Sequence, residues 1–147
     1  MYFREATIQD IPQIQIVRHS VHENRLSNPA LVTDADCVEY LTIRGKGWVC
    51  EIDNEIVGFA IADLKDKNIW ALFVDPQFEN KGVGKQLQAL MLHWYFSMQD
   101  YVWLSTAQNT RAEHFYTLTG WRKIGILLSG EVKFEMTRTE WLSQTKA

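Results

Sequence analysis

A strand that runs into a tight, glycine-spaced loop and then directly into a long helix constrains this chain more than any other feature. The stretch reads Phe73-Val74-Asp75-Pro76-Gln77-Phe78-Glu79-Asn80-Lys81-Gly82-Val83-Gly84-Lys85-Gln86-Leu87. From Gly82 to about Gln99 the pattern is helical, with Val83, Leu87, Leu90, Met91, Trp94 and Met98 on one stripe. A helix start exposes about four unpaired backbone N–H groups and carries roughly half a positive charge. Gly82 and Gly84 lack a Cβ, so an anion can approach those donors closely, and Lys81 and Lys85 add charge on either side. In physical terms the loop is a phosphate seat, although two glycines alone also fit a tight turn with no ligand. A P-loop needs GxxxxGK(S/T), but position 79 is Glu and Gln86 follows Lys85; a GxGxxG fingerprint fails at Leu87.

The flanking segments give a consistent order. Tyr2 to Ala6 reads as a strand, and Thr7, Asp10 and Pro12 mark a helix start; Ile8, Ile11, Ile14, Val17 and Val21 continue it to about His22. After Ser27-Asn28-Pro29 a second short helix begins near Thr33-Asp34 and includes Val38 and Leu41. Trp48–Ile52 and Ile56–Ala62 flank the hairpin signal Asp53-Asn54-Glu55, and Ile69–Val74 follows. The latter two are apolar at nearly every position, which predicts a sheet covered on both faces. Val102–Ser105 reads as a strand, Asn109 as the cap of a helix through Leu118 ended by Gly120, and Trp121–Leu128 and Val132–Met136 as a last strand pair. The pattern predicts an α/β (α+β) layer fold, and with no repeat or linker in the 147 residues, one domain over 1–147.

Two motifs together resemble the GNAT acetyltransferase superfamily. Its hallmark, (Q/R)xxGx(G/A) after a strand and opening a helix, is matched at Gly82 and Gly84, with Glu79 departing at the first position. Downstream, Asn109, Ala112, Phe115, Tyr116, Gly120 and Trp121 fit the pattern NxxAxxFYxxxG(F/W). The resemblance spans the chain and implies a mixed, mostly antiparallel central sheet with helices on both faces.

It also implies acetyl-CoA as acetyl donor, with the cofactor-binding positions Phe73, Val74, Glu79, Asn80, Lys81, Gly82, Val83, Gly84, Lys85 and Asn109. Backbone groups near Phe73 and Val74 would bond the pantetheine arm, and Asn109 would contact it. Glu79, beside a pyrophosphate, must point away or pair with a cation. Tyr116 is the expected catalytic residue: a phenol with an ordinary pKa of about 10 is protonated at neutral pH and can protonate a leaving thiolate. Asn68 stands where some members carry a glutamate base and cannot serve as one. His19, His22, Glu23, Glu51 and Asp63 are the candidates, or a water relay. Substrate-side residues are expected from Arg18 to Thr33, notably His19 and Glu23, with Trp48 either walling the pocket or buried in the core. The implied reaction is N-acetylation of a primary amine by direct attack in a ternary complex; the alternative is a catalytically silent CoA-binding or protein-interaction module.

Composition narrows the setting. A net charge of −3 argues against a phosphate-backbone partner, so no nucleic acid is expected. Met1 to Asp10 has no apolar signal core and no stretch approaches roughly 18 apolar residues. The expectation is a cytoplasmic protein without a membrane partner, acting on a small-molecule or peptide amine. Cys37 and Cys50 form no CxxC pair, and His93 and His114 lack metal-ligand spacing, so no metal is expected. Phe134 and Trp141 permit a homodimer without requiring one.

Overall fold

The chain alternates β1 (Tyr2–Glu5), α1 (Ile11–Ser20), α2 (Asp34–Glu39), β2 (Gly45–Ile52), β3 (Glu55–Asp63), β4 (Asn68–Val74), α3 (Val83–Tyr95), β5 (Tyr101–Thr106), α4 (Arg111–Leu118), β6 (Arg122–Ile126), β7 (Val132–Thr137) and α5 (Arg138–Thr145). The computed structural model describes residues 1–21 and 32–145. One seven-stranded sheet runs in the order β1-β2-β3-β4-β5-β7-β6, antiparallel everywhere except between β4 and β5.

Strand β3 is buried from Ile56 to Asp63 because helices cover both of its faces. Phe59 and Ile61 pack with Ile11, Ile14, Val17, Cys37 and Leu41 of α1 and the segment around α2. Ala60 and Ala62 face the other layer, where Val83, Leu87, Met91, Leu92 and Tyr95 of α3 lie. Gly58 makes that approach close: a Cβ there would sit 3.0 Å from Val83 Cγ1 and 3.1 Å from Leu87 Cδ1. The β2–β3 hairpin turns on Asp53 and Asn54, both at positive φ (52° and 67°), the turn geometry that matches strand twist.

The packing settles several positions that the pattern left open or placed differently. Helix α3 ends at Tyr95, whose hydroxyl donates to Tyr101 O at 2.6 Å, so Met98 lies beyond the helix and is exposed. Trp48 is in the core, edge-on to Trp94 with ring centroids 5.5 Å apart. Phe134 is fully buried, and Trp141 packs partly buried on the same core. Helix α5 was not expected from its weak apolar periodicity. It starts on a capping box: Glu140 N–H donates to Thr137 Oγ1 at 3.2 Å and Thr137 N–H to Glu140 Oε1 at 2.8 Å. Among the described residues no helix is long and apolar enough to cross a membrane.

The β1–α1 corner is tied by Arg4. Its Nη1 and Nη2 donate to the two oxygens of Asp10, both at 2.8 Å, and its Nε to Glu51 Oε2 at 2.7 Å. Asp10 also accepts Thr7 N–H at 2.8 Å. The Arg4 hydrogen bonds hold the Asp10 carboxyl below the ordinary carboxylate range, against the opposing effect of burial. The folded carboxyl therefore loses its proton at lower pH than the unfolded one. Its stabilisation is complete above the unfolded pKa and disappears as pH falls through the folded value. Asp10→Asn is expected to lower stability at pH 7 and to flatten the acid decline below the ordinary carboxylate range, read by urea unfolding across pH. Parallel pH profiles in parent and variant would contradict this.

Candidate active site

Strands β4 and β5 pair at one position, Asn68 with Trp103. Trp103 N–H donates to Lys67 O and its Nε1 to Asp66 O, both at 3.0 Å, which fastens this end. Beyond it the register of β4 against β3 slips, with Ala62 opposite Ile69 but Ile61 opposite Ala71. Trp70 is thus the extra residue of a bulge, and a bulge bends and twists its strand. The two strands splay from this point, opening a wedge in the middle of the sheet.

The wedge holds two adjoining cavities. One of about 560 Å³ is lined by β4, β5 and the end of α1, including Arg18, His19, Asn68, Ser105 and Glu131. The other, of about 310 Å³, is lined by Val74, Asn80, Gly82, Val83, Gly84 and Lys85 on one side and Arg111 and Phe115 on the other. Leu72, Phe73, Ala112 and Tyr116 line both and form the shared wall.

Asp75 N–H donates to Val57 O at 2.8 Å. By the alternation of an antiparallel ladder, Phe73 turns its backbone groups to β3, while Leu72 and Val74 turn theirs to the wedge. The expected donors near Phe73 and Val74 are therefore those of Leu72 and Val74, and Phe73 contributes its ring.

The chain then makes a single turn at Pro76–Phe78, capped by Asp75 Oδ1 accepting Gln77 N–H at 2.9 Å. Asn80 (φ 63°) and Gly82 (φ 83°) swing it into α3, whose first N–H groups face the smaller cavity. Glu79 pairs with Arg111 Nη1 at 2.6 Å, linking the loop to the start of α4. The loop carboxylate is thus neutralised by a guanidinium that lines the same cavity. The downstream motif shows no spacing that would have singled out Arg111. A buried bond from Trp121 Nε1 to Gln88 Oε1, 3.0 Å, ties α3 to the segment that follows α4.

Tyr116 is 6% exposed and stands edge-on to Phe115 and Trp121 and tilted against Phe134. Burial pushes its phenol well above the ordinary value, so it stays protonated. Its hydroxyl has no hydrogen-bond partner among the described residues.

Other expected site residues fall differently. Lys81 is exposed beside the loop and lines neither cavity; Trp48 lines neither as well. Asn109 lines neither and is not the helix cap: it sits at φ 60° and donates its backbone N–H to Glu113 Oε1 at 2.7 Å. Thr110 caps α4 instead, accepting Glu113 N–H at 3.2 Å. His19 is exposed on the larger cavity. Glu23 and His22 lie outside the described residues. Glu51 is bound to Arg4, and buried Asp63 to Arg44 at 2.6 Å, so neither reaches the wedge. Glu131, unmarked in the sequence, reaches it because β7 pairs beside β5; its Oε1 accepts Ser105 Oγ at 3.1 Å. Among the described residues no three His, Cys, Asp or Glu side chains could hold a metal together.

Residues 13–121 match the model of the acetyltransferase (GNAT) family. No curated protein matches the sequence. Similar solved structures include a PaiA N-acetyltransferase from Thermoplasma acidophilum in complex with coenzyme A, 14% identical, TM-score 0.80, covering 92% of this chain and 98% of that one. An acetyltransferase of the GNAT family from Staphylococcus aureus is 19% identical, TM-score 0.78, over 92% and 98%. The ribosomal-protein-S18-alanine N-acetyltransferase from Escherichia coli is 16% identical, TM-score 0.71, over 92% and 90%.

The two glycines differ in what they require. A Cβ on Gly82 would touch nothing, but its φ is left-handed; a Cβ on Gly84, inside the helix, would make ordinary contacts at 3.6 to 3.8 Å. Gly82→Ala is expected to destabilise the fold by about 1 kcal/mol and Gly84→Ala to leave it unchanged or firmer. Chemical denaturation of both variants measures this; the reverse order would contradict the loop geometry.

Proposed function

The chain belongs to the GNAT acetyltransferase family, and we propose that residues 1–147 act as one domain that transfers an acetyl group from acetyl-CoA to a primary amine within a ternary complex. The observation that carries this is the wedge: a helix N-terminus, unpaired β4 backbone groups and a protonated Tyr116 all face its two adjoining cavities.

The first N–H groups of α3 would hold the donor's pyrophosphate, with Lys85 supplying positive charge. Because Arg111 already neutralises Glu79, the departure from the family pattern is compatible with an anion in this seat. The unpaired backbone groups of Leu72 and Val74 suit an extended amide-bearing arm laid along β4 as an added strand. Acetyl-CoA supplies a thioester carbonyl there. A β4 N–H would stabilise charge on the carbonyl oxygen as the amine attacks. The Tyr116 hydroxyl would give its proton to the departing sulfur. The amine's own proton would pass to Glu131 or His19, directly or through water; both side chains line the acceptor side. A reducing, cytoplasmic setting fits the two buried free thiols, Cys37 and Cys50.

Asn68, an amide where a carboxylate base could stand, favours as a second reading a CoA-binding module without turnover. Thiol release from acetyl-CoA with a broad amine panel separates the two. In the transferase reading, Tyr116→Phe lowers kcat by roughly 10²-fold with CoA affinity nearly unchanged. Gly84→Glu abolishes CoA binding. Full activity in Tyr116→Phe removes the phenol from the mechanism, and unaltered affinity in Gly84→Glu puts the pyrophosphate elsewhere.

A further inference from the structure

Arg18, on the last turn of α1, is the least satisfied polar group in the wedge. Its guanidinium carbon lies 4.9 Å from the ring centroid of Trp70, 5.1 Å from Phe73 and 5.5 Å from Phe59. Aromatic faces attract a cation. They do not satisfy its N–H groups, and Nε and Nη2 are both buried without a hydrogen-bond partner among the described residues. These two nitrogens form one edge of the guanidinium, the pair that grips a carboxylate through two parallel bonds. Burying such donors unpaired is costly.

The same chain closes this edge on a carboxylate elsewhere. Arg44 places Nε on Asp63 Oδ1 at 3.1 Å and Nη2 on Asp63 Oδ2 at 2.6 Å. Arg4 likewise spends its donors on Asp10 and Glu51. Arg18 instead lines the larger cavity, the side of the wedge away from the α3 N-terminus, where Asn68 Oδ1 is also buried without a partner among the described residues.

We infer that Arg18 is a specificity residue of the acceptor subsite and that the acceptor amine carries a carboxylate, which closes the open Arg18 edge while the amine reaches the wall formed by Tyr116. This rests on the acetyltransferase reading for the identity of the subsite, but not for the binding of a carboxylate there. A cavity of about 560 Å³ suits a small amino acid or the end of a short peptide. A planar carboxylate matches one guanidinium edge in a way that a bulky or cationic group does not. A polyamine, with a second positive charge at its far end, would meet Arg18 with like charge.

The test is thermal unfolding at fixed ionic strength with N-acetylglycine and its uncharged match, N-acetylglycinamide, each with and without CoA. The parent chain is expected to gain several degrees from the carboxylate in the millimolar range and little from the amide. Arg18→Met, which keeps an apolar stem and removes a buried unpaired charge, is expected to fold at least as stably and to lose the carboxylate's advantage. Arg18→Lys, which keeps charge without the two-donor edge, should weaken carboxylate binding at least tenfold and serves if Arg18→Met does not fold. Equal protection by both probes, protection by neither, or a carboxylate preference that survives in the variants would overturn the inference. A missing CoA shift alongside an intact carboxylate preference would instead bring down the acetyltransferase reading.

Discussion

The site depends on one irregularity of the sheet, the extra residue at Trp70. Pairing between β4 and β5 stops two residues earlier, at Asn68, and the bulge bends β4 away from its neighbour. Without that bend the two strands would continue their ladder and the middle of the sheet would be closed. With it, the backbone groups of Leu72 and Val74 are left unpaired beside a cleft rather than inside a core. Unpaired backbone is costly when it is buried, so such a gap persists only where a solvent or ligand can reach it. The same bulge puts Trp70 on the α1 layer, stacked on Tyr40 at 4.0 Å and beneath Arg18.

The rest of the molecule holds the wedge open. On one side β1, β2, β3 and β4 form a rigid unit sandwiched between α1 and α3, and Gly58 lets α3 settle directly on the sheet. On the other, β5, β7 and β6 carry α4. Away from the wedge, α3 joins the two halves in one core with Val102, Leu104 and Phe134, and polar ties across the divide include the Asn68–Trp103 bridge, the buried Trp121–Gln88 bond and the Glu79–Arg111 ion pair. The exposed ion pair contributes little to stability on its own. Its weight lies in electrostatics, since it cancels a negative charge beside a helix N-terminus suited to an anion.

Much of this was legible in the sequence because local rules and long-range packing agree. The continuous apolar run of β3, the glycine-spaced entry to α3 and the Asn109–Trp121 pattern each specify their surroundings. The positions left open, missed or read differently are those where tertiary contacts decide. Asn109 looks like a cap, but the next residue, Thr110, takes that role while Asn109 adopts the left-handed turn before it. Trp48 is an aromatic on a strand, and only the packing of α3 against β2 sends it to the core. Glu131 and Arg111 reach the cleft through the β5–β7 register and the α4 start, which no spacing in the sequence encodes. Arg18 sat in a polar run that suggested a substrate side. That three aromatic rings would surround its guanidinium was not readable. The box at Thr137 and Glu140 was readable, and marked α5 more clearly than its weak periodicity did.

The central claim is that the wedge receives the donor along β4 with its pyrophosphate on α3. Backbone amide spectra of isotopically labelled protein, titrated with CoA, test it residue by residue. The account predicts the largest shifts at Val83, Gly84 and Lys85, with a second group at Leu72 and Val74 and little change on β1 or α5. Saturable binding that moves other amides and leaves these five unshifted would contradict it.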